Sequence, residues 1–489
     1  MQQNLTLRLN CSCLDAQMDG KHICSVTGWQ TTTQQYHKVY ADIFADCSGD
    51  SVLAPLTGAT YRMGRESCEE YSEDIAPQQA DRKTMGLSCL MQVRETDHPV
   101  SFTPPRWANH YTKQDFEHRI DFSNPQKWTQ DNFWWMEIGG TSDTICDTEQ
   151  LRDELIKMAY GVWDFIKNSG ELPSQNWDLE WIGFLPGKRE SGRYQGDYML
   201  RQEDLRTGKI SEDAIAYDGW TMDNHEPEGF YSKNPPTKWN PVHSPYTIPY
   251  RCIYSENIEN LMFAGRNISA THVANSSTRV MATCGLLGHA VGNAAAIAVQ
   301  NHILPRQLLD GYLPQLQQSL LKDDIFLPGK KKELPSVMKT VHITADGCDT
   351  SVLLDGEERG EQHLWVGELC REVIVTLDKA QPVQTLRMVL DSDLNRTSWQ
   401  SQKWYVKCYP MVCNRFLNDQ PVTVPATLLK EFSVYVDEGD GLWKFLYNED
   451  NNYQRLVNIP INRNVKAVKL LPTGTWGAKN ARIFSIELE

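Results

Sequence analysis

Three side chains in this sequence are of types that can move a proton or hold a charged substrate, namely His272, Arg279 and Arg189. Because an unperturbed imidazole titrates at about 6.5, His272 is a candidate general base. Arg279 is a candidate for binding a carboxylate through two parallel hydrogen bonds. Arg189 lies in a charge-dense turn. Each residue also has a structural interpretation, since loop arginines commonly pair with internal carboxylates and charge-dense turns are commonly solvated.

A second set of candidates lies in segment 260–299, where backbone groups would do the binding. A short apolar strand, 261–264, leads through a polar loop rich in Ser, Thr and Asn into a helix expected to open near Thr283. This order of elements directs backbone N–H groups at a ligand beyond the carboxyl end of a sheet. The candidate cofactor-binding residues here are Gly265, Arg266, Asn267, Ser269, Thr283, Cys284 and Gly285.

The helix of this segment is rich in glycine and alanine, with Gly285, Gly288 and Gly292 along it. Each glycine costs a helix about 1 kcal/mol relative to alanine, so their presence predicts close packing against a sheet or a flat ligand. A buried helix without a ligand is the alternative. The apolar run is also predicted to be too short for a bilayer, which needs about 20 apolar residues.

Three more candidates end an apolar strand near the amino terminus, in the run Ala-Asp-Cys-Ser-Gly-Asp at 45–50. Ser48, Gly49 and Asp50 are the candidate cofactor-binding residues of this run, and a helix is predicted over 51–57. Asp50 is equally suited to cap that helix, because a side-chain oxygen before a helix can accept a hydrogen bond from its first turn.

The elements that must position these residues form three regions. Strands are predicted over 5–13, 22–29 and 40–46, with a hairpin turn at Asp19-Gly20. Residues 61–250 are rich in Trp, Pro and charge, and helical periodicity is clear only over 148–168, with Thr148 as N-cap. Beyond 338, short strand-like runs separated by turn residues are typical of an antiparallel β-sandwich.

The predicted fold is therefore an α/β cofactor-binding domain with an inserted α+β domain and a C-terminal all-β sandwich. The expected boundaries are 1–60 and 251–321 for the α/β domain, 61–250 for the inserted substrate or cap domain, 322–338 for a linker, and 339–489 for the sandwich.

Composition excludes some classes of partner. The formal charge is −15, which argues against binding to nucleic acid or to an anionic membrane surface. The 13 cysteines are scattered, without a C-x-x-C pair or a Cys/His array of zinc spacing, so no metal site is predicted. Cysteine usage favours a reducing compartment such as the cytoplasm. No signal peptide or membrane span is predicted.

Four segments carry a resemblance to a known family. Residues 187–198 read Gly-Lys-Arg-Glu-Ser-Gly-Arg-Tyr-Gln-Gly-Asp-Tyr, and with 45–50, 58–66 and 260–299 they resemble motifs of the FAD-dependent oxidoreductase family of the glutathione-reductase-like superfamily. In residues 45–50, Cys47-Ser48 replaces the Ala-Thr of that family. The resemblance implies an FAD cofactor, with Gly265 close to the flavin and the following helix aimed at its N1–C2=O side. It also implies that His272 is a general base beside the flavin.

The chain departs from this family in one respect. It contains no G-x-G-x-x-G, the loop that holds the ADP pyrophosphate in dinucleotide-binding domains. It is therefore expected to begin beyond that unit, as a truncated or degenerate member that binds FAD weakly or not at all.

The C-terminal region is similar to galactose-binding-like or discoidin-type sandwiches, through Leu354-Asp355-Gly356, Trp365 and a closing strand over 481–488. This second resemblance implies glycan binding through loops at one end of the sandwich.

The function predicted from both resemblances is hydride transfer from a substrate, suggested by the appended sandwich to be carbohydrate-related, to flavin N5. Expected partners are a small-molecule or glycan substrate. One alternative is a carbohydrate-binding or polysaccharide-lyase-like (xanthan-lyase-type) protein with a relict flavin fold. Another is a scaffold whose missing half is supplied by a second polypeptide. Substrate, electron acceptor and oligomeric state stay open.

Overall fold

A computed structural model describes residues 4–345, 349–393, 414–418 and 424–489. The chain forms two compact units. Among the described residues, the first unit holds 4–320, 326–328 and 414–418, and the second holds 321–325, 329–345, 349–393 and 424–489.

The described strands before residue 265 belong to small sheets of two or three strands. In chain order they are β1 (Cys11–Asp19), β2 (His22–Gln30), β3 (Gln35–Tyr40), β4 (Phe44–Asp46), β5 (Tyr61–Arg62), β6 (Leu87–Ser88), β7 (Met91–Glu95), β8 (Glu137–Ile138), β9 (Trp177–Ile182), β10 (Gly187–Lys188), β11 (Arg193–Tyr194), β12 (Ala214–Asp218), β13 (Met222–His225), β14 (Thr237–Asn240), β15 (Tyr246–Pro249) and β16 (Leu261–Phe263). The described α-helices are α1 (Leu53–Thr57), α2 (Cys68–Tyr71), α3 (Thr148–Asn168), α4 (Gln202–Arg206), α5 (His272–Thr278), α6 (Met281–Asn301) and α7 (Leu313–Lys322).

The amino-terminal sheet pairs β1, β2 and β3 in antiparallel order. The predicted turn at Asp19-Gly20 is confirmed, because Asp19 pairs with His22 and Gly20 takes the positive φ that such a turn requires. The strand predicted over 5–13 is wrong in its first half, since pairing begins only at Cys11. The alternating leucines before it, Leu5, Leu7 and Leu9, are 63–74% exposed.

The α/β part of the first unit is built on one parallel pair of strands, β4 and β16. The short helix α1 follows β4, and α5 and α6 follow β16. The loop predicted between β16 and the long helix is wrong in part, because residues 272–278 form α5. All seven residues of α5 are buried, and Thr271 caps it by accepting a hydrogen bond from Ala274 N at 3.1 Å. Burial and the cap outweigh the low helix propensity of Ser, Thr and Asn.

The long helix α6 starts at Met281, two residues before the predicted position, and has 21 residues. By length and composition it could cross a membrane, with a mean hydropathy of 1.4 over its best window, of which 39% is buried. The expectation that this run is too short for a bilayer is therefore wrong. A single helix of this kind is weak evidence for a membrane span, because core helices meet the same criterion.

The close packing predicted for the glycines of α6 is not found among the described residues. A Cβ added at Gly285, Gly288 or Gly292 would meet no atom within 4 Å. The opposite side of the helix, which includes Leu287 and Ala294, is buried. The three glycines therefore lie on an uncovered face, and we call them the glycine face of α6.

The region between the two α/β segments has its own apolar core around α3, which spans the predicted residues 148–168. Leu155, Met158 and Val162 follow helical spacing and are fully buried. Thr148 is not the N-cap. The helix is preceded by Asp147, and the Thr148 hydroxyl donates to the backbone oxygen of Thr144 at 2.7 Å.

The second unit is an antiparallel β-sandwich with one continuous hydrogen-bonded network of strands. They are β17 (His342–Thr344), β18 (Trp365–Glu368), β19 (Val373–Leu390), β20 (Leu429–Asp437), β21 (Lys444–Glu449), β22 (Leu456–Thr475) and β23 (Asn480–Leu488). Two predicted strands, 372–377 and 385–390, are halves of the single long strand β19, which is irregular between Thr376 and Gln381.

The second unit contains a network of buried ion pairs. Arg387 is fully buried and pairs with Glu358 at 2.5 Å and with Glu487 at 3.7 Å, and Lys332 also pairs with Glu487. Burial by itself would raise the pKa of Glu358, but hydrogen bonds from Arg387 and its charge hold it below its usual range.

Candidate functional site

The turn after β4 is held by the buried carboxylate of Asp46. Its Oδ1 accepts from Ser48 N at 2.8 Å, and its Oδ2 accepts from Leu53 N at 2.9 Å and from the Tyr194 hydroxyl at 2.6 Å. Asp46 therefore supports the start of α1, a role that the sequence offered to Asp50. The Ser48 hydroxyl accepts from Asp50 N at 3.2 Å, which closes the turn.

Asp50 instead lies at the centre of a polar cluster. Its Oδ1 accepts from Ser191 Oγ at 2.7 Å and from Arg266 Nη2 at 2.8 Å, while Oδ2 accepts from Lys188 Nζ at 2.8 Å. Burial alone would raise the pKa of Asp50, but these donors hold it below its usual range. At Gly49, with φ of 76°, an added Cβ would lie 3.0 Å from the Arg266 guanidinium.

A second cluster is centred on the fully buried Arg193. Its guanidinium pairs with Glu66 at 3.0 Å and with Glu190 Oε1 at 3.0 Å. It also donates to the backbone oxygens of Gly64 and Ala270. The run 188–193 thus fastens three separate segments together: the turn after β4, the residues at 64–66 and the loop before α5.

The His272 ring is held by this second cluster. Its Nδ1 lies 2.8 Å from Glu190 Oε2, and its backbone N–H donates to Glu66 Oε2 at 2.8 Å. Its Nε2 makes no hydrogen bond among the described residues, and the ring lines a cavity of about 320 Å³. Burial would raise the pKa of Glu190, but the charges of His272 and Arg193 hold it below its usual range.

A third cluster holds the other two predicted catalytic residues. His225 lies between two carboxylates, with Nδ1 2.6 Å from Glu137 Oε2 and Nε2 3.1 Å from Asp223 Oδ2. Arg279 Nη2 donates to the same Asp223 oxygen at 3.3 Å. Burial and the charge of Arg189 lower the pKa of Arg279 to about 10.

Arg189 is engaged by the protein itself. Its guanidinium donates to Ser88 Oγ at 2.7 Å and to the Trp134 backbone oxygen at 3.0 Å, and lies 3.4 Å from Glu137. These contacts engage both terminal nitrogens of the guanidinium, so the carboxylate-binding role predicted for such a side chain is already partly taken by the protein itself.

The amino-terminal end of α6 is open. Val280 precedes the helix without a side-chain cap, and Met281 is 89% exposed. No acidic residue lies in the first turn. The backbone N–H groups of such an end carry a partial positive charge and are suited to an anionic ligand. Cys284 donates to the Arg279 backbone oxygen at 3.5 Å, and burial raises the pKa of its thiol to about 11.

Several buried polar atoms before this helix end make no hydrogen bond among the described residues. They are Asn267 Oδ1, both amide atoms of Asn275, Thr278 Oγ1 and Arg279 Nε. A buried polar atom without a partner costs about 1–3 kcal/mol, so a run of them is unusual for a segment with a purely structural role.

Comparison of the sequence with known families shows which family the chain belongs to. A family model described as "FAD dependent oxidoreductase" matches residues 1–320. The chain belongs to this family. No curated protein sequence matches it.

Two solved carbohydrate-binding modules are similar to about a third of this FAD dependent oxidoreductase family member. The family 32 carbohydrate-binding module of Streptococcus pneumoniae EndoD is 16% identical, with a TM-score of 0.24, covering 31% of this chain and 97% of the module. The family 32 module of Clostridium perfringens NanJ, solved with galactose, is 12% identical, with a TM-score of 0.22, covering 31% and 95%.

The residues present fit the ring-binding half of FAD. The open end of α6, and polar atoms at Asn275, Thr278 and Arg279 that have no partner among the described residues, are donors and acceptors of the kind that the nitrogen and oxygen atoms of a flavin ring can pair with. The phosphate-binding half has no G-x-G-x-x-G loop in this sequence.

The predicted cofactor residues fall into two groups: some lie at the turn after β4 or at the start of α6, and others are bonded into the protein interior. Gly49, Asp50 and Arg266 contact one another, and Cys284 and Gly285 lie in the first turns of α6. The others are held in the scaffold: Asn267 Nδ2 donates to Asp46 O at 3.3 Å, Ser269 is fully buried, and Thr283 hydrogen-bonds the buried Asp218. The turn at Gly265 has φ of 103°, which favours glycine.

Sequence reasoning had considered Glu190 together with Arg189 and Arg193, but it missed Glu137, Asp223 and His225. Asp223 and His225 are two apart on β13, so a strand assignment would have placed them on one face. Glu137 is 88 residues from His225, and no local pattern signals that pairing.

Proposed function

We propose that this protein is an FAD-dependent oxidoreductase that binds the flavin ring at the amino-terminal end of α6. The observation that carries the proposal is that this end is open, uncapped and preceded by buried polar groups that have no partner in the part of the chain that the structure describes. A helix amino terminus stabilises a nearby negative charge by about 0.3–1 kcal/mol, and by up to about 2 kcal/mol when partly buried. Reduced flavin is anionic at N1, so the helix end favours the reduced state.

When bound, FAD would supply a two-electron acceptor for a hydride from the substrate. The chain's own residues do the rest. Glu190 holds the Nδ1 side of His272, which leaves Nε2 available to accept a proton. Arg279 places a cation next to α6, and Asp223 orients it. Arg266 donates to Asp50, and this pair holds the turn after β4.

The proposal predicts how the binding affinity depends on the size of the flavin. Because the residues present fit the ring and the sequence has no G-x-G-x-x-G, riboflavin and FMN are expected to bind this chain within about tenfold of FAD. Absorbance titration of the purified full chain with the three flavins measures this. No binding of any of them at high micromolar concentration would refute the proposal.

The glycine face of α6 bears on how the phosphate half of FAD is held. This face is uncovered, and β4 has one neighbour, β16, in the described sheet, which leaves its other edge without a paired strand there. Both features suit a strand-and-helix unit carrying G-x-G-x-x-G from a separate polypeptide. Adding such a polypeptide should raise the affinity for FAD but not for riboflavin; an equal effect on both would contradict this arrangement.

A second candidate function, glycan binding by the β-sandwich, is favoured by exposed aromatic rings at the start of β21. Trp443 and Phe445 are 38% and 59% exposed, and Phe445 lies 5.9 Å from Tyr435 between ring centroids. Lys469 Nζ lies 4.6 Å from the Trp443 centroid and 5.0 Å from that of Tyr435. Glycan-array binding of the full chain should fall in a Trp443→Ala/Phe445→Ala double variant, and an unchanged array would reject this role.

A further inference from the structure

The cavity beside His272 has the chemistry of a substrate site. It measures about 320 Å³ and lies wholly in the first unit, between the hairpin β13–β14, the segment around Arg65 and the start of α5. Two histidines, His225 and His272, reach its wall. A volume of this size suits a small molecule of roughly monosaccharide dimensions.

The two histidines differ in what they can offer a ligand. Both ring nitrogens of His225 face carboxylate oxygens, of Glu137 and Asp223. His272 is held through Nδ1 only, and its Nε2 has no hydrogen-bond partner within the described ranges. Although only 5% of His272 is exposed, its ring lines the cavity. Only His272 therefore has a free nitrogen for a ligand.

Most charged groups of the wall are already matched inside the protein, and one further lining residue, Lys238, is exposed to solvent. Arg65 forms a bidentate ion pair with Asp81, with nitrogen–oxygen distances of 3.0 and 2.5 Å. Asp74 pairs with Arg206 at 2.6 Å. Burial and the neighbouring Glu228 raise the pKa of Glu226, and the charge of Lys238 opposes that shift, so these two side chains lie close enough to interact. Apart from the solvent-exposed ammonium of Lys238, the wall therefore offers little to attract an anionic or a cationic substrate.

Neutral hydrogen-bonding groups dominate what remains. Asn224 lines the cavity, its Oδ1 is buried, and its amide makes no hydrogen bond among the described residues. Thr237 and Asn240 line the same wall from the adjacent strand β14. An amide offers a donor and an acceptor side by side, which is the complement of a hydroxyl group that both donates and accepts.

We propose that this cavity binds a neutral polyhydroxylated molecule, a sugar or polyol, and that His272 takes the proton of the hydroxyl that is oxidised. The proton moves from the hydroxyl oxygen to Nε2, the C–H bond gives its hydride to the flavin, and a C=O group forms. FAD is the two-electron oxidant, so the catalytic part rests on the proposed function. The resulting imidazolium lies against Glu190, in a cluster where Arg193 faces both Glu66 and Glu190.

The binding part is tested on the full chain without flavin. Saturation-transfer NMR and calorimetry would compare monosaccharides and polyols with dicarboxylates and diamines of similar size. Asn224→Leu should weaken sugar binding by at least about tenfold, because it removes the two hydrogen bonds that the side-chain amide would make to the sugar. The matched surface variant Asn168→Leu should leave sugar binding unchanged. Asn224→Ala, which adds no bulk, should act in the same direction. The Trp443→Ala/Phe445→Ala variant removes any signal from the sandwich.

Preference for the dicarboxylates or diamines, or unchanged sugar binding in both Asn224 variants with normal thermal unfolding, would overturn the assignment. The outcome is separable from that of the proposed function. Sugar binding lost in the Asn224 variants, with no flavin uptake, would leave the cavity site standing and refute the oxidoreductase. Flavin uptake, with no sugar binding by either the flavin-free or the FAD-loaded chain, would refute the cavity site and leave the proposed function standing.

Discussion

His272 Nδ1 lies 2.8 Å from Glu190 Oε2, and the other oxygen of that carboxylate pairs with Arg193 at 3.0 Å. The carboxylate thus links a buried arginine to an imidazole whose second nitrogen has no hydrogen-bond partner in the described chain. An imidazole oriented in this way by a buried carboxylate is suited to accept a proton at its other nitrogen.

Replacing this imidazole should affect chemistry more than binding. His272→Gln is expected to lower the rate of substrate oxidation by about 10²–10⁴-fold, the usual contribution of a general base. Flavin affinity should stay unchanged. The control is His98→Gln, whose ring pairs with Asp97 on the surface. Equal losses in both variants would show that His272 has no special role.

Acid stability should depend on the cluster around Arg193. The folded-state pKa values of Glu66 and Glu190 are lowered, so their contribution is present above the unfolded value of about 4.3 and is lost as pH falls through the folded values. Glu66→Gln should destabilise the protein at neutral pH by about 3–5 kcal/mol, because it leaves Arg193 with less countercharge.

The measurement is the thermal midpoint as a function of pH, roughly between pH 6 and 3. The wild-type midpoint should fall more steeply than that of Glu66→Gln at the acid end. Parallel curves for the two proteins would mean that Glu66 does not change its proton affinity on folding.

The glycine face of α6 gives a prediction about helix stability. Gly288→Ala should stabilise the flavin-free chain by about 0.5–1 kcal/mol, because alanine is the better helix former and its methyl group meets no atom within 4 Å. Gly161→Ala in α3 is the opposite case, since its Cβ would lie 2.3 Å from the Asn109 backbone oxygen. Urea unfolding should therefore move in opposite directions for the two variants; a destabilised Gly288→Ala would mean that this face is packed.

The sequence was sufficient where the signal was local. The turn at Asp19-Gly20 and the bounds of α3 followed from turn chemistry and helical periodicity, and both are confirmed. It was insufficient where partners are distant in sequence. Asp46, rather than Asp50, supports the start of α1, and its partner Tyr194 is 148 residues away. The uncovered glycines of α6 could not be distinguished from packed ones, because composition does not record what lies opposite a helix.

The buried charges of the second unit should be costly to interrupt. Arg387→Met removes the partner that holds Glu358 at 2.5 Å and is expected to destabilise this unit by about 3–5 kcal/mol. Lys479→Met, at an exposed turn position of the same unit, is the control with little expected effect. Hydrogen exchange followed peptide by peptide would report the loss in residues of the β-sandwich, and a change confined to the first unit would contradict the prediction.

The position of the flavin ring is tested most directly by two variants of the same helix face. Gly285→Leu places a side chain in the second turn of α6, whereas Gly292→Leu places the same side chain about 10 Å further along the helix. Absorbance titration with riboflavin should show binding weakened by at least about tenfold in Gly285→Leu and unchanged in Gly292→Leu. Equal affinity in wild type and Gly285→Leu, or no riboflavin binding by the wild-type chain, would contradict a flavin ring at this helix end.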